Sequence, residues 1–201
     1  MSRARRQRLR LGIVSMMKDG SVSDAVLCCF AELGVAYVLY KYNTPDLISL
    51  IADGPETHWF FTGNTPDFVT DEGAPGFDMR ILDISNKNMF FVCYSHQYVC
   101  KQLGSCVWPC WKPIRGIYPI VRVRGEDPIF CEVSPKQWFF AYYGQYVRTE
   151  DVPAGWELLA RQGNHVVLMR LRDSQKAIYS CQVHPERLVD TYRMLYNWLK
   201  M

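Results

Sequence analysis

Apolar positions along this chain fall into short runs separated by polar, Gly- and Pro-containing breaks, and the runs follow two different periods. Residues 11–14, 35–40 and 58–61 are compact β-branched or aromatic runs, the pattern of strands. Between the first two, Ser23 offers an N-cap and Asp24 a first-turn acid. The helix they open is expected to reach about Leu33, with Gly34 as its stop. Leu47, Ile48, Leu50 and Ile51 make residues 46–51 a short helix. Residues 89–92 form another apolar β-type run that ends at Cys93. The pattern then changes: Tyr94, Val99 and Leu103 stand among polar residues up to Gly104. Strand, sharp turn and helix are therefore predicted, with Cys93 on the turn. Residues 105–113 read as a loop, in which Trp108 and Trp111 are expected to anchor in the core rather than form an exposed lip. Residues 118–123 alternate as a strand, and residues 138–147 are aromatic and β-prone. Residues 166–172 and 177–183 read as a hairpin across Asp173-Ser174-Gln175. The chain closes on an amphipathic helix, residues 188–199, with Leu188, Tyr192, Leu195, Tyr196 and Leu199 on one face. Strands that alternate with helices point to a parallel sheet with crossover helices.

Composition narrows the class. At 201 residues and 49% hydrophobic, the chain can bury one substantial core, so a single domain is expected over residues 11–201. Part of the net charge of +3 comes from Arg3, Arg5, Arg6, Arg8 and Arg10, which make residues 1–10 a basic N-terminal arm. The arm reads as a solvated terminus; contact with nucleic acid or an acidic partner is the alternative. No apolar run is long enough for a membrane span, and Lys18 and Asp19 interrupt any signal-peptide core. Eight cysteines without a signal pattern fit reduced thiols in the cytoplasm. Cys100, Cys106 and Cys110 lack the paired short spacing of zinc sites, so neither a metal nor a cofactor is expected.

The candidate chemistry lies at two strand ends. A thiol on the turn after residues 89–92 stands at a helix N-terminus, where free N–H groups favour thiolate over thiol. The same geometry presents the nucleophile of an "elbow". Near the C-terminus, an extended run delivers His184 and Glu186 two residues apart, so both can point to one side. Alone, Cys93 reads as a buried structural cysteine and His184 as a satisfied surface histidine. Together, Cys93, His184 and Glu186 supply a nucleophile, a base and an orienter. Thr62-Gly63-Asn64-Thr65-Pro66 follows the third strand, at the strand end where open α/β sheets collect ligands. By itself this loop reads as an ordinary turn.

At these residues the chain resembles the class I glutamine amidotransferase family, of the GMP synthase and anthranilate synthase amidotransferase kind. The family's elbow is G-x-C-x-G-H-Q-like, and here it reads Phe91-Val92-Cys93-Tyr94-Ser95-His96-Gln97. Its late G-x-Q-x-H-P-E segment here reads Ser180-Cys181-Gln182-Val183-His184-Pro185-Glu186. Phe91 and Ser95 thus stand where the elbow has glycines. Residues 152–160 are similar to the family's L-P-x-G-F-x-x-L-A turn and strand, and the resemblance runs from about Leu11 to the C-terminus. It implies a flavodoxin-like three-layer α/β fold: an open, mostly parallel sheet flanked by helices, with an antiparallel extension. It also implies a helix over residues 77–86, ahead of the elbow.

The activity implied by the resemblance is hydrolysis of the glutamine side-chain amide by Cys93, His184 and Glu186. Backbone N–H groups of Gly63 or Asn64 and of Tyr94 would hold the oxyanion. Gln97 would contact the substrate's amino-acid end, whereas His96 would only support packing. Tyr142-Tyr143-Gly144-Gln145 matches an S-H-G-D-like stretch, which places Tyr143 and Gly144 at the substrate. No G-x-x-x-x-G-K-S/T loop occurs, so ammonia is expected to pass to a separate synthase subunit. Two alternatives stay open: a hydrolase of another γ-glutamyl amide or peptide, and an interaction module whose site has drifted.

Overall fold

A computed structural model describes residues 9–64, 67–172 and 175–201. Arg3, Arg5, Arg6 and Arg8 of the basic arm lie outside the described residues, as do Thr65 and Pro66 of the Gly63 loop and Asp173 and Ser174 of the expected hairpin turn. The first half of the chain runs β1 (Leu11–Ser15), α1 (Asp24–Glu32), β2 (Tyr37–Lys41), α2 (Leu47–Asp53), β3 (His58–Phe61), β4 (Asn88–Val92) and α3 (Tyr94–Gln102). The second half runs β5 (Val107–Pro119), β6 (Val121–Arg122), β7 (Trp138–Val147), β8 (Trp156–Gln162), β9 (His165–Leu171), β10 (Ile178–Cys181) and α4 (Tyr192–Leu199). The main sheet has the order β2-β1-β3-β4-β10-β9-β8-β6. Its strands β2, β1, β3, β4 and β10 are parallel, and β9, β8 and β6 extend it antiparallel. Strands β5 and β7 pair apart from it as an antiparallel ribbon. The fold is the open, mostly parallel α/β architecture with an antiparallel extension.

Period two sorts the strand side chains into two cores, one on each face. From β3, Phe60 joins Leu11, Ile13, Phe90, Val92 and Trp198, while Trp59 and Phe61 join Val14, Met89 and Phe91. Phe60 stacks on Phe90 at 6.0 Å, and Trp198 meets Phe90 edge-on at 5.3 Å. Each such side chain contributes about 1.5–3 kcal/mol when fully buried. Parallel strands end at one edge of the sheet, so this packing fixes the ends of β3, β4 and β10 against one another. The loop after β3, Cys93 and the His184 segment all start there.

Five sequence expectations are corrected. Residues 77–86 form only a five-residue 3-10 turn, Met79–Asp83, in which the Asp78 side chain accepts from Arg80 N–H. Ile81 alone of its residues is buried, so too little packing supports a longer helix. The expected loop over residues 105–113 belongs largely to β5, whose register shifts between Pro109 and Ile114. The two prolines argue against a strand, but they flank the irregularity where ladder bonds are already missing. Trp111 is 97% exposed there, not a core anchor. Half-buried Trp108 instead lies under the Arg148 guanidinium at 3.8 Å and donates to Asp151 Oδ2 at 2.8 Å. The single strand expected over residues 118–123 is split at Ile120, because β5 ends in the ribbon at Pro119 and β6 joins the main sheet from Val121. Finally, the last helix begins only at Tyr192, after a 3-10 turn, and buries Met194, Leu195, Trp198 and Leu199. Ser23 occupies the N-cap of α1 without a side-chain cap bond, while Gly34 stops it at φ +69°.

Candidate functional site

Cys93 joins β4 to α3 in a single residue, at φ 53° and ψ −103°. A non-glycine residue there costs about 1–3 kcal/mol and persists only where its surroundings hold it. Cys93 N–H donates to Cys181 O of β10 at 2.7 Å, and Gln97 N–H donates to Cys93 O at 3.0 Å. The residues at the elbow's glycine positions are absorbed by the fold. Phe91 is fully buried, 4.8 Å from Phe61 and 5.6 Å from Phe77 between ring centroids. Ser95 Oγ donates to Thr62 O at 2.6 Å and ties the start of α3 to the loop after β3.

His184 arrives from the opposite side. Its N–H donates to Phe140 O at 2.8 Å, so ribbon strand β7 fixes the segment that follows β10. Thr191 Oγ1 donates to Pro185 O at 2.7 Å and closes the turn behind it. His184 Nδ1 donates to Glu186 Oε1 at 2.6 Å, with both side chains buried. This bond sets the tautomer and leaves Nε2 for the thiol. Burial disfavours the imidazolium, but the Glu186 carboxylate and then Cys93 outweigh it and raise the His184 pKa to about 10. Cys93 Sγ also lies 3.5 Å from Tyr142 O, which can accept from the thiol.

Gly63 lies against both groups. A Cβ there would stand 3.3 Å from His184 Cε1, 3.4 Å from Cys93 Cβ and 3.9 Å from Cys93 Sγ. A side chain there would meet both groups at the close end of van der Waals contact, so the loop backbone passes directly beside the thiol and the imidazole. Buried Asn64 donates through Nδ2 to Asp67 Oδ2 at 3.1 Å, and Asp67 pairs with Lys18 at 2.7 Å. Tyr94 is buried with its hydroxyl donating to Pro75 O at 2.7 Å. Two chambers meet at Cys93, Asn64 and Tyr142. One, of about 200 Å³, includes Ser21, Ser23, Gly63, His184 and Arg187. The other, of about 320 Å³, includes Phe68, Tyr94, Gln97, Pro113, Tyr143 and Gly144.

The expected substrate contacts are only partly arranged as expected. Gly144 lies where a Cβ would come within 2.7 Å of Phe68 Cε1, which brings the second chamber's walls together. Tyr143 lines the chamber, but its hydroxyl bonds His165 Nδ1 at 3.1 Å and Gln162 Oε1 at 3.2 Å. Gln97 turns its amide nitrogen inward, to Gln145 O at 2.6 Å and Gln182 Oε1 at 3.1 Å. His96 is fully buried against Ser180 Oγ at 2.8 Å, and burial pushes its pKa down to about 3. Two participants have no role in the sequence reading: the Tyr142 carbonyl, and Gln182, whose Nε2 lies 3.9 Å from Cys93 Sγ. The spacing of Gln182, His184 and Glu186 at i, i+2 and i+4 was the available signal for the latter. Among the described residues, no group of three or more His, Cys, Asp or Glu side chains could hold a metal. No helix among them is long and apolar enough to cross a membrane.

The family model described as "Glutamine amidotransferase class-I" matches residues 17–200. GMP synthase (glutamine-hydrolyzing) of Pyrobaculum aerophilum is 30% identical over 152 residues, covering 74% of this chain and 28% of that protein. A putative anthranilate synthase component II of Haemophilus influenzae is 29% identical over 125 residues, covering 61% of this chain and 64% of that one. The chain therefore spans under a third of the first relative and less than two thirds of the second. Among solved structures, a putative GMP synthase component from Thermoplasma acidophilum aligns with TM-score 0.77 at 19% identity, over 96% of this chain and 93% of that one. The glutaminase domain of Trypanosoma brucei CTPS, with bound acivicin, aligns with TM-score 0.71 at 14% identity, over 96% and 94%. At these identities the two structures speak for the fold alone.

Proposed function

The chain belongs to the class I glutamine amidotransferase family, and from that premise we propose that residues 11–201 form one domain that hydrolyses the side-chain amide of glutamine. His184 takes the Cys93 proton and Glu186 holds the resulting imidazolium. The thiolate attacks the amide carbonyl. Backbone N–H groups of the Gly63-Asn64 loop and of Tyr94 receive the oxyanion. His184 returns its proton to the departing nitrogen, which leaves as ammonia, and a glutamyl thioester remains on Cys93. Water deprotonated by His184 then attacks the thioester, releasing glutamate and the thiol. The observation that carries this reading is the buried 2.6 Å His184–Glu186 bond beside a cysteine held at φ 53°.

Ammonia from such a domain is proposed to pass to a separate synthase subunit, which the name of the anthranilate synthase component II relative supports. All eight cysteines are free, which supports a reducing compartment and hence the cytoplasm. The test is intact-protein mass spectrometry after a glutamine-mimicking electrophile, with and without excess glutamine. A single adduct on Cys93 that glutamine blocks, absent from Cys93→Ala, is the expected result. No adduct on Cys93, with other thiols reacting, would leave an interaction module. A second reading has its own observation: the chamber on the His184 side holds about 200 Å³, whereas ammonia needs roughly the 30 Å³ of one water. An adduct on Cys93 that glutamine does not block would favour a γ-glutamyl amide with a larger amine.

A further inference from the structure

Three glutamine residues run inward from the nucleophile, and their polarity is set by one backbone group. Gln145 O is a carbonyl and can only accept. The end of Gln97 that lies 2.6 Å from it is therefore the NH₂. The same nitrogen lies 3.1 Å from the Gln182 amide, which must turn its oxygen there. That leaves the Gln182 NH₂ as the end that lies 3.9 Å from Cys93 Sγ. The orientation of both side-chain amides thus follows from acceptor chemistry rather than from choosing a flip.

We propose that Gln182 is a catalytic residue that stabilises the Cys93 thiolate through its Nε2–H, and that Gln97 is the positioning residue that aims it. All three glutamines are at least nine-tenths buried, with Gln182 at 0%, Gln97 at 4% and Gln145 at 5% exposure. In such surroundings a donor aimed at an anion acts more strongly than in water. The two neighbours of the sulfur then have opposite effects. The Tyr142 carbonyl at 3.5 Å accepts from the neutral thiol and opposes the anion. The Gln182 N–H, 3.9 Å from the sulfur, favours the anion. The Gln97 nitrogen is committed to the interior, and its Oε1 is the end left for the chamber that Gln97 lines.

The test is the rate of Cys93 alkylation by iodoacetamide as a function of pH, read by intact mass in the full chain. At neutral pH, Gln182→Met should slow alkylation about tenfold, the lower end for a hydrogen bond to a charged group, and move the profile to higher pH. Gln182→Glu should slow it further by placing an acceptor at the sulfur. Gln97→Met should act in the same direction by about threefold, since it only frees the aim of Gln182. Profiles that superimpose on wild type in folded variants would overturn the proposal. Should the Gln182 variants fail to fold, an unmoved profile in Gln97→Met overturns it alone. The inference rests on Cys93 being the nucleophile. Wild-type Cys93 reacting no faster than exposed Cys106 and Cys131 would therefore defeat that reading and this inference together. A fast wild type with unmoved variants defeats this inference only.

Discussion

Two buried histidines, one in this site and one in the core beside it, have pKa values displaced in opposite directions. His184 is 7% exposed and its pKa rises to about 10; His96 is fully buried and its pKa falls to about 3. Burial lowers both. The difference is the partner: Glu186 supplies a carboxylate at 2.6 Å, whereas Ser180 supplies a hydroxyl at 2.8 Å. A neutral hydroxyl satisfies a ring nitrogen without offsetting the desolvation of a charge. Proximity to Cys93 in sequence therefore does not set a histidine's charge. His96 is three residues away along α3 and is held neutral in the core, while His184 reaches the thiol from a distant strand end.

The largest change to this contrast comes from Glu186→Gln. It keeps the shape and removes the negative charge, leaving Cys93 as the remaining group that raises the His184 pKa against burial. Glutamine hydrolysis should fall by about 10³–10⁴, the scale on which such a substitution acts in related triads. The His184 imidazole should then titrate well below its wild-type value by NMR; titration still near 10 would mean that Glu186 is not what holds the charge. Gly63→Ala separates position from protonation. Its Cβ would press on His184 Cε1 at 3.3 Å, so the ring must give by a few tenths of an ångström, and would touch Cys93 Cβ at 3.4 Å. Turnover should drop about 10–100-fold, at or below the loss of one oxyanion donor, while the His184 titration stays high. Wild-type turnover in this variant would show that the loop does not approach the reacting atoms.

The smallest effect is on stability. The folded-state value of His184 lies above the ordinary 6.5, so the stability it contributes is fully present below pH 6.5 and is lost as pH rises through about 10. His96 acts in reverse. Between about 3 and 6.5 the unfolded chain binds a proton there that the folded chain does not, so stability falls as pH drops through that window. His58, pushed down to about 4 by burial, adds to the same acid loss. In thermal melts across pH, His96→Gln should make the acid limb shallower, leave the alkaline limb in place and leave glutamine turnover unaltered. An acid limb of unchanged slope would mean that His96 is not held neutral.

Much of this arrangement was legible in the residues themselves. The run into Cys93, the helix after it, and the His184–Glu186 spacing are local patterns, and period two or 3.6 along one segment reports them directly. The parallel sheet follows from strands and helices that alternate along the chain. Residues 105–123 were not legible, because what makes them a ribbon is pairing with β7 across a register shift around two prolines. The length of the pre-elbow turn likewise depended on how little of it found a core to pack against. The site divides the same way. Sequence alone determined which side chains could act as nucleophile, base and orienter, since these are properties of residue type and short spacing. Only the tertiary structure decided the charge of each histidine, the inward turn of Gln97 and the approach of Gln182 to a sulfur 89 residues away. Those depend on burial and on partners from other strands, and desolvation and hydrogen bonding are set by what surrounds a group in space.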